Sequence, residues 1–514
     1  MMANGQNISL WMETASKKSY PKLERHISVD AAVIGGGIAG MTVAHLLKKQ
    51  GLSTCVLEAR EIGGGVTGHT TAKITAQHGL RLDTLIRQNG LNAAKLYAEI
   101  NSQAIGFIEK LAMSLNIDCG FKRTFSCIVT EDTAKSQEIL WETEAAQRLG
   151  VEAEYYHRPN FEATRNADIK AAVKFFNQAQ FHPLKYLYGI AEAFCDGTGC
   201  NIYENTRAVD IEKGRVNKVI TEDGLVVSAK YVVVATHFPF FDKRNLYFTK
   251  LYPERSYVVS FIAEDGFSEG MYKTAEEGFS LRTHALEDGR KLILLGGGYH
   301  RTGSGSYMMK NYLDLEDTAK RLFNVKEFLW RWSAQDYSTP DGLPYAGQIA
   351  CTMPNVFVMT GFDKWGMTNS TATAIIISDL ISSGDSPYLA AYNPLRPLKS
   401  FASFFKYLGK NVATMGRLIG GRLSRLPSKA IVKKDEARLI NMKGVRTSVY
   451  RDEEGKVHVV KAVCSHMGCQ LKFNDAEKTW DCPCHGSRYD TEGKVIEAPA
   501  KKPLTKIEKG EFSE

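Results

Sequence analysis

The chain has 514 residues, 44% of them hydrophobic and 24% charged, with a formal net charge of +8. That length predicts about two to four domains, and the composition is that of a water-soluble globular protein with ample core. No apolar run approaches the ~20 residues that span a bilayer. The N-terminal stretch MMANGQNISLWMET has no basic region, apolar core or twin arginine, so it does not read as an export signal and a cytoplasmic location is expected.

Residues 30–40 read DAAVIGGGIAG: an apolar strand entering a Gly-x-Gly-x-x-Gly turn made by Gly35, Gly37 and Gly40. A helical pattern follows, then a second apolar strand ending at Glu58. Gly35 permits the tight turn, Gly37 admits a pyrophosphate to the backbone, and Gly40 lets helix and strand pack closely. The helix N-terminus faces the phosphates. An acid at position 58 suits a ribose with a free 2′-OH, which means FAD or NAD rather than NADP.

Further along, VFVMTGF is an apolar strand and STATAIIISDLIS a helix with Ser and Thr at its start, separated by Gly361–Thr368. Residues 396–429 carry eight basic residues and no acidic one, as much positive charge as the whole chain's net +8. Their apolar residues (398, 401, 404/405, 408, 412, 415, 418/419) form a helical stripe. Such a connector packs its stripe on the preceding domain, the commoner outcome, or lies on an anionic membrane surface. No base-stacking platform accompanies it, so no nucleic-acid partner is expected.

Of ten cysteines, six are scattered, as suits buried thiols in a reducing cytosol, and four fall within residues 464–484. CSHMGC at 464–469 and CPCHGSRY at 482–489 supply Cys464, His466, Cys482 and His485, enough ligands for zinc or an iron–sulfur cluster. Zinc would leave Cys469 and Cys484 without a reason. The segment before them, SVYRDEEGKVHVVKAVC, alternates as strands around a turn.

The motifs SLWMET, REIGGGVTGHTTAKIT, HPLKYLYGIA, DGLPYAG and TGFDKWGMTNSTATA resemble the FAD-dependent oxidoreductases of the D-amino-acid oxidase and glycine oxidase superfamily. The resemblance implies an α/β fold: a Rossmann-like FAD-binding domain (about 28–80, 200–240 and 340–385) interleaved with a mixed-sheet substrate domain (mostly 81–199 and 241–339), together filling 1–395. It implies FAD contacts at Thr67, Gly68, His69, Thr70 and Thr71, at Val209 in the strand covering the adenine, and at Gly361, Gly366, Met367 and Thr368. Substrate-side candidates are His69, Lys73, His182, His300 and Arg301, with His69, Lys73 and His300 as the catalytic set. Amino-acid oxidases clamp the substrate carboxylate with an arginine before Asp-Gly-x-Pro, yet RWSAQDYSTPDGLPYAG has none between Ser333 and Asp341.

The tail resembles the Rieske [2Fe–2S] domain of the cytochrome bc/b6f type over 428–514, after a basic amphipathic connector at 396–427. The resemblance implies Cys464 and Cys482 on one iron, His466 and His485 on the other, a Cys469–Cys484 disulfide, hydroxyl donors at Ser487 and Tyr489, and a covering loop around Pro499. Such centres span about −150 to +300 mV, and these donors favour the upper half. Taken together, the expectation is a flavin dehydrogenase for an amine or N-alkyl compound. Electrons would pass from FAD to the cluster and on to an external partner, a protein or a quinone. The alternative is an electron carrier or redox sensor without turnover. Monooxygenation ranks low, because no two-His, one-carboxylate iron site can be placed. Peripheral contact with the inner membrane face through 396–429 stays open.

Overall fold

The computed structural model describes residues 7–161, 167–242, 245–264, 267, 269–276 and 278–507. Residues 1–6, part of the stretch read for an export signal, and 508–514, the end of the Rieske-like tail, lie outside the described residues.

The strand Ile27–Ile34 is buried on both faces over its second half, as an apolar run in a parallel sheet must be. It pairs in parallel with Thr54–Leu57 on one side and Val226–Val234 on the other. Asn201–Tyr203 extends this sheet at one edge, and Val356–Thr360 with antiparallel Tyr345–Gln348 at the other. The chain therefore leaves Ile34 between two neighbours whose own ends, Leu57 and Val234, are level with it. That crevice is where a doubly wound sheet places its ligand. Gly35 holds φ +114°, and a Cβ there would lie 2.5 Å from the Ala235 carbonyl oxygen. At Gly40 a Cβ would meet the Gly35 oxygen at 1.9 Å, so the helix Ile38–Lys49 sits against the turn only because both residues lack one.

A second, nine-stranded sheet is mixed. Its three longest strands, Tyr252–Ala263, Lys291–Arg301 and the edge strand Val325–Ser338, are antiparallel, whereas Met271–Thr274 and Lys122–Thr130 are parallel. The C-terminal part is all β: a three-stranded sheet (Glu436–Met442, Val445–Arg451, Val457–Lys461) and a four-stranded one (Lys472–Asn474, Thr479–Asp481, Arg488–Tyr489, Val495–Glu497).

The connector is a helix over Phe401–Leu423, capped by Ser400. Its apolar stripe does not pack on the preceding domain, contrary to the commoner expectation. The inward face is polar. Tyr407 donates to Thr249 Oγ1 at 3.2 Å, Asn411 to the Thr249 carbonyl at 3.0 Å, and Arg301 donates to Thr414 Oγ1 at 2.8 Å. Because these hydrogen bonds orient the helix, Phe401, Phe404, Phe405, Leu408, Val412, Met415, Ile419 and Leu423 all turn outward and stay exposed. Just upstream, Arg396 grips Asp341 through two nitrogens, at 2.7 and 2.8 Å, fixing the connector's start to the DGLPYAG segment.

Candidate functional site: a flavin cradle walled by a cluster domain

A cavity of about 540 Å³ runs from the glycine turn through Thr67–Thr71 to Gly366 and Met367. At one end lie Gly35, Gly37, Glu58, Arg60 and Arg207. Glu58 accepts from the backbone N–H of Gly36 at 2.7 Å and of Arg60 at 2.9 Å, which fixes its carboxylate beside the turn. The helices Ile38–Lys49 and Gly366–Ser383 both open on the cavity, and neither is capped by the side chain of its own N-cap residue, Gly37 or Trp365. Thr67 Oγ1 takes the Ile38 N–H at 3.1 Å, and the remaining first-turn N–H groups of the two helices give each end positive potential, one for a pyrophosphate and one for an electron-rich ring edge. The tight glycine turn, the two helix ends and the volume of the cleft fit FAD. Gly35, Gly37, Glu58, Thr67, His69, Thr70, Thr71, Lys73, Gly366 and Met367 line it.

Other expected contacts lie elsewhere. Gly40 packs the helix, and a Cβ on Gly68 would strike the Gly63 carbonyl at 2.6 Å, so both act as spacers. Thr368 is buried and hydrogen-bonds the Thr75 carbonyl and His78, each at 3.0 Å. Gly361 turns the chain at φ +78° behind Thr339. Val209 offers its carbonyl to Lys501 at 3.3 Å, while its neighbours Arg207 and Ala208 reach the cavity.

Among the catalytic candidates, His69 and Lys73 line the cavity and His300 does not. His300 pairs with the Tyr257 hydroxyl at 3.1 Å and with the Arg301 carbonyl at 2.8 Å. His182 caps the helix Pro183–Phe194, and Arg301 serves the cluster loop described below. Burial holds the His69 imidazole below its ordinary pKa, with Nδ1 hydrogen-bonded to Gly65 at 2.8 Å. Burial, with Lys273 and Arg282 nearby, pushes the Lys73 ammonium well down.

Sequence reasoning missed Asp336, Tyr337, Gln335 and Lys364, which also line the cavity. Burial, reinforced by Asp363, raises the Asp336 carboxyl to about 8. Lys364 sits 3.7 Å above the Tyr299 ring. All but Lys364 belong to the strand Val325–Ser338 and the residues around it. Gln335, Asp336 and Tyr337 are consecutive, so strand alternation did not mark them, and their polar and aromatic character just before DGLPYAG was the available signal.

In the tail, the disulfide Cys469–Cys484 ties the two loops. The sulfurs of Cys469, Cys482 and Cys484 lie within 4.8 Å of one another, but the bridged pair offers no thiolate. The free, buried Cys464 and Cys482 are the thiols here that could hold a metal. The His466 and His485 rings stand 5.0 Å apart, and Nδ1 of each is buried without a hydrogen-bond partner. Burial holds these imidazoles at about 4 and about 3, neutral and ready to donate a lone pair. Two thiols and two orphaned imidazole nitrogens, closed by a buried disulfide, fit a [2Fe–2S] cluster with mixed ligands. Tyr489 OH lies 3.2 Å from Cys464 Sγ, Ser487 Oγ accepts from Ala500 N at 3.0 Å, and the Ala498–Pro499 bond beside it is cis.

The two sites share a wall. Glu477, Thr479, Arg488, Ile496, Glu497 and Ala498 from the tail complete the cavity. Arg301 donates to the carbonyls of Pro483 (3.1 Å) and Cys484 (2.8 Å), and Tyr337 to that of Ala498 (3.0 Å). Phe248 meets His485 edge-on at 5.3 Å and His466 at 5.7 Å. Close approach is built in at Gly486, where a Cβ would lie 2.5 Å from Pro253.

A flavin cradle continuous with a two-cysteine, two-histidine cluster site defines an oxidoreductase of the amino-acid oxidase type with a Rieske domain. The family described as FAD dependent oxidoreductase matches residues 30–380, and the Rieske [2Fe-2S] domain matches 425–508. The chain belongs to the FAD-dependent oxidoreductases, binds FAD in that domain, and carries a C-terminal Rieske domain that binds a [2Fe–2S] cluster. It is 36% identical over 500 residues to a Bacillus subtilis (strain 168) protein named as a Rieske 2Fe-2S iron-sulfur protein, YhfW, covering 97% of both. A 45-residue stretch, 9% of this chain and 25% of the relative, is 53% identical to cytochrome b6-f complex iron-sulfur subunit 1 of Nostoc sp.. The fold matches that of glycine oxidase from Geobacillus kaustophilus at a TM-score of 0.62 and 18% identity, covering 72% of this chain and 99% of that one.

Proposed function

We propose that this chain is a dehydrogenase that oxidises a small amine or N-alkyl compound. Electrons would pass from FAD to the Rieske cluster and on to an external acceptor, a protein or a quinone. The observation that carries this reading is the shared wall: the domain holding the cluster loops also closes the flavin cavity. FAD, when bound, supplies two-electron oxidation of a neutral amine, and the cluster takes electrons singly.

The chain's own groups fit an amine. Lys73 and Asp336, both on the cavity, are shifted toward neutrality by burial. Asp336 in its ionised form can accept the proton of a substrate ammonium. Among the described residues that line this end of the cavity, no guanidinium is free to clamp a carboxylate. Arg488 is held by Glu497 at 2.8 Å and Asp481 at 3.2 Å, with Glu477 at 3.9 Å. An amine without an obligatory α-carboxylate is therefore favoured.

The test is an anaerobic screen of amines for flavin bleaching, with paramagnetic resonance read on the cluster. Bleaching accompanied by a reduced-cluster signal is expected. Flavin that bleaches with dithionite but with no amine would move the chain to the class of carriers and sensors. Bleaching with a cluster that stays oxidised would remove the electron path.

A further inference from the structure

The connector helix is amphipathic the wrong way round for a protein surrounded by water. Its 23 residues, about 34 Å long at 1.5 Å per residue, pack through hydroxyl and amide side chains and turn their large apolar ones outward. At 100° per residue, the exposed apolar residues from Phe401 to Leu423 fall within an arc of about 100°. Phe401 is 84% exposed, Phe405 and Val412 each 63%, and Leu423 77%. Isolated exposed apolar residues are ordinary, but a continuous stripe along six helical turns marks a binding face.

Charge identifies the occupant. Lys399, Arg425 and Lys429 are exposed beside this helix and none is in an ion pair among the described residues, whereas Lys406 leans toward the domain, where burial lowers the pKa of its ammonium. The helix itself carries no acidic residue. A protein partner would need a long apolar groove rimmed with acid, whereas an anionic bilayer presents apolar depth under negative headgroups along any such helix. No helix among the described residues is long and apolar enough to cross a membrane, so the helix would lie in the plane of the surface.

We propose that the Phe401–Leu423 helix docks the protein on an anionic membrane surface, with its apolar stripe in the headgroup–acyl boundary and its basic residues on phosphate. Docking also sets the cluster loop at that surface. Arg422 at the end of the helix donates to the Met467 carbonyl at 3.1 Å, Ser424 to Gln470 at 3.0 Å, and the Met467 side chain is exposed.

Co-sedimentation of the full-length holoprotein with phosphatidylglycerol-containing and pure phosphatidylcholine vesicles tests this. Binding to the anionic vesicles is expected, with at least a tenfold loss of partitioning in F405E/V412E. Flavin and cluster absorbance report that this variant is folded. R425Q/K429Q should lose the preference for anionic vesicles while the stripe is intact. Absence of wild-type binding overturns the proposal, as does equal binding by the stripe variant. So does concentration-dependent dimerisation in sedimentation velocity that F405E/V412E abolishes, since the stripe would then be the seat of a second copy.

Discussion

Gln335 joins the two redox sites through one side chain. Its Nε2 donates to the Gly486 carbonyl at 2.9 Å, between the candidate cluster ligand His485 and Ser487, while its Oε1 accepts from Thr302 at 2.6 Å. Gln335 also lines the flavin cavity, so the wall of that cavity is bonded to the cluster loop.

Replacing Gln335 with leucine leaves the Gly486 carbonyl without its partner, a loss of about 1–3 kcal/mol for a buried group. Flavin reduction by substrate should continue at the wild-type rate, while reduction of the cluster slows by about tenfold, the equivalent of ~1.4 kcal/mol. Rapid-mixing absorbance at flavin and cluster wavelengths separates the two. Equal slowing of both would mean that Gln335 supports the cavity alone.

Asp336 should set the pH dependence of flavin reduction. A base with its pKa raised to about 8 is ionised only above that value, so substrate-driven flavin reduction should rise as pH passes through about 8. D336N should lower the rate by about 10²–10⁴-fold and flatten that limb. An unchanged profile in D336N assigns the proton to another group.

Tyr489 should hold the cluster potential up. Its hydroxyl lies 3.2 Å from Cys464 Sγ, and a hydrogen bond to sulfur stabilises the reduced cluster. Y489F should load the cluster normally and shift its midpoint down by about 60 mV, a bond of ~1.4 kcal/mol for a one-electron couple. Potentiometric titration followed by paramagnetic resonance measures it.

His45 weakens the fold in acid. It is buried on the helix after the glycine turn with neither ring nitrogen partnered, and burial lowers it to about 4. Its folded pKa lies below the unfolded 6.5, so the unfolded chain takes the proton first and stability falls as pH drops from about 6.5 towards 4. H45L should be more stable than wild type at pH 5 than at pH 7.5 by up to about 2 kcal/mol. Urea midpoints at the two pH values check this.

The glycine turn, Glu58 and the cluster motif were legible in the sequence because their chemistry is local. Each needs particular residue types at fixed spacing within one turn or loop pair. The cavity's other wall was not legible. Asp336 and Gln335 acquire their roles from the pairing of Val325–Ser338 with Tyr252–Ala263 and from a domain about 150 residues further on, as Gln335 and Gly486 show. His300 and Arg301 look alike as candidates on paper, yet one stacks on Tyr257 and the other holds the cluster loop. The connector's periodicity was read correctly, but which face would turn inward depended on Thr249 and Arg301, and these become its neighbours only after folding.

Pro253 against Gly486, and Gly303 against Pro483, leave no room for a side chain between the two halves of the molecule. A carrier seated this tightly is masonry as well as wire: swinging it away to meet a distant acceptor would unroof the flavin and admit water and dioxygen. On the proposed path, electrons would leave while the lid is shut, through whatever edge of the cluster loop faces outward, and a free-standing ferredoxin supplied in trans should not restore a truncated chain.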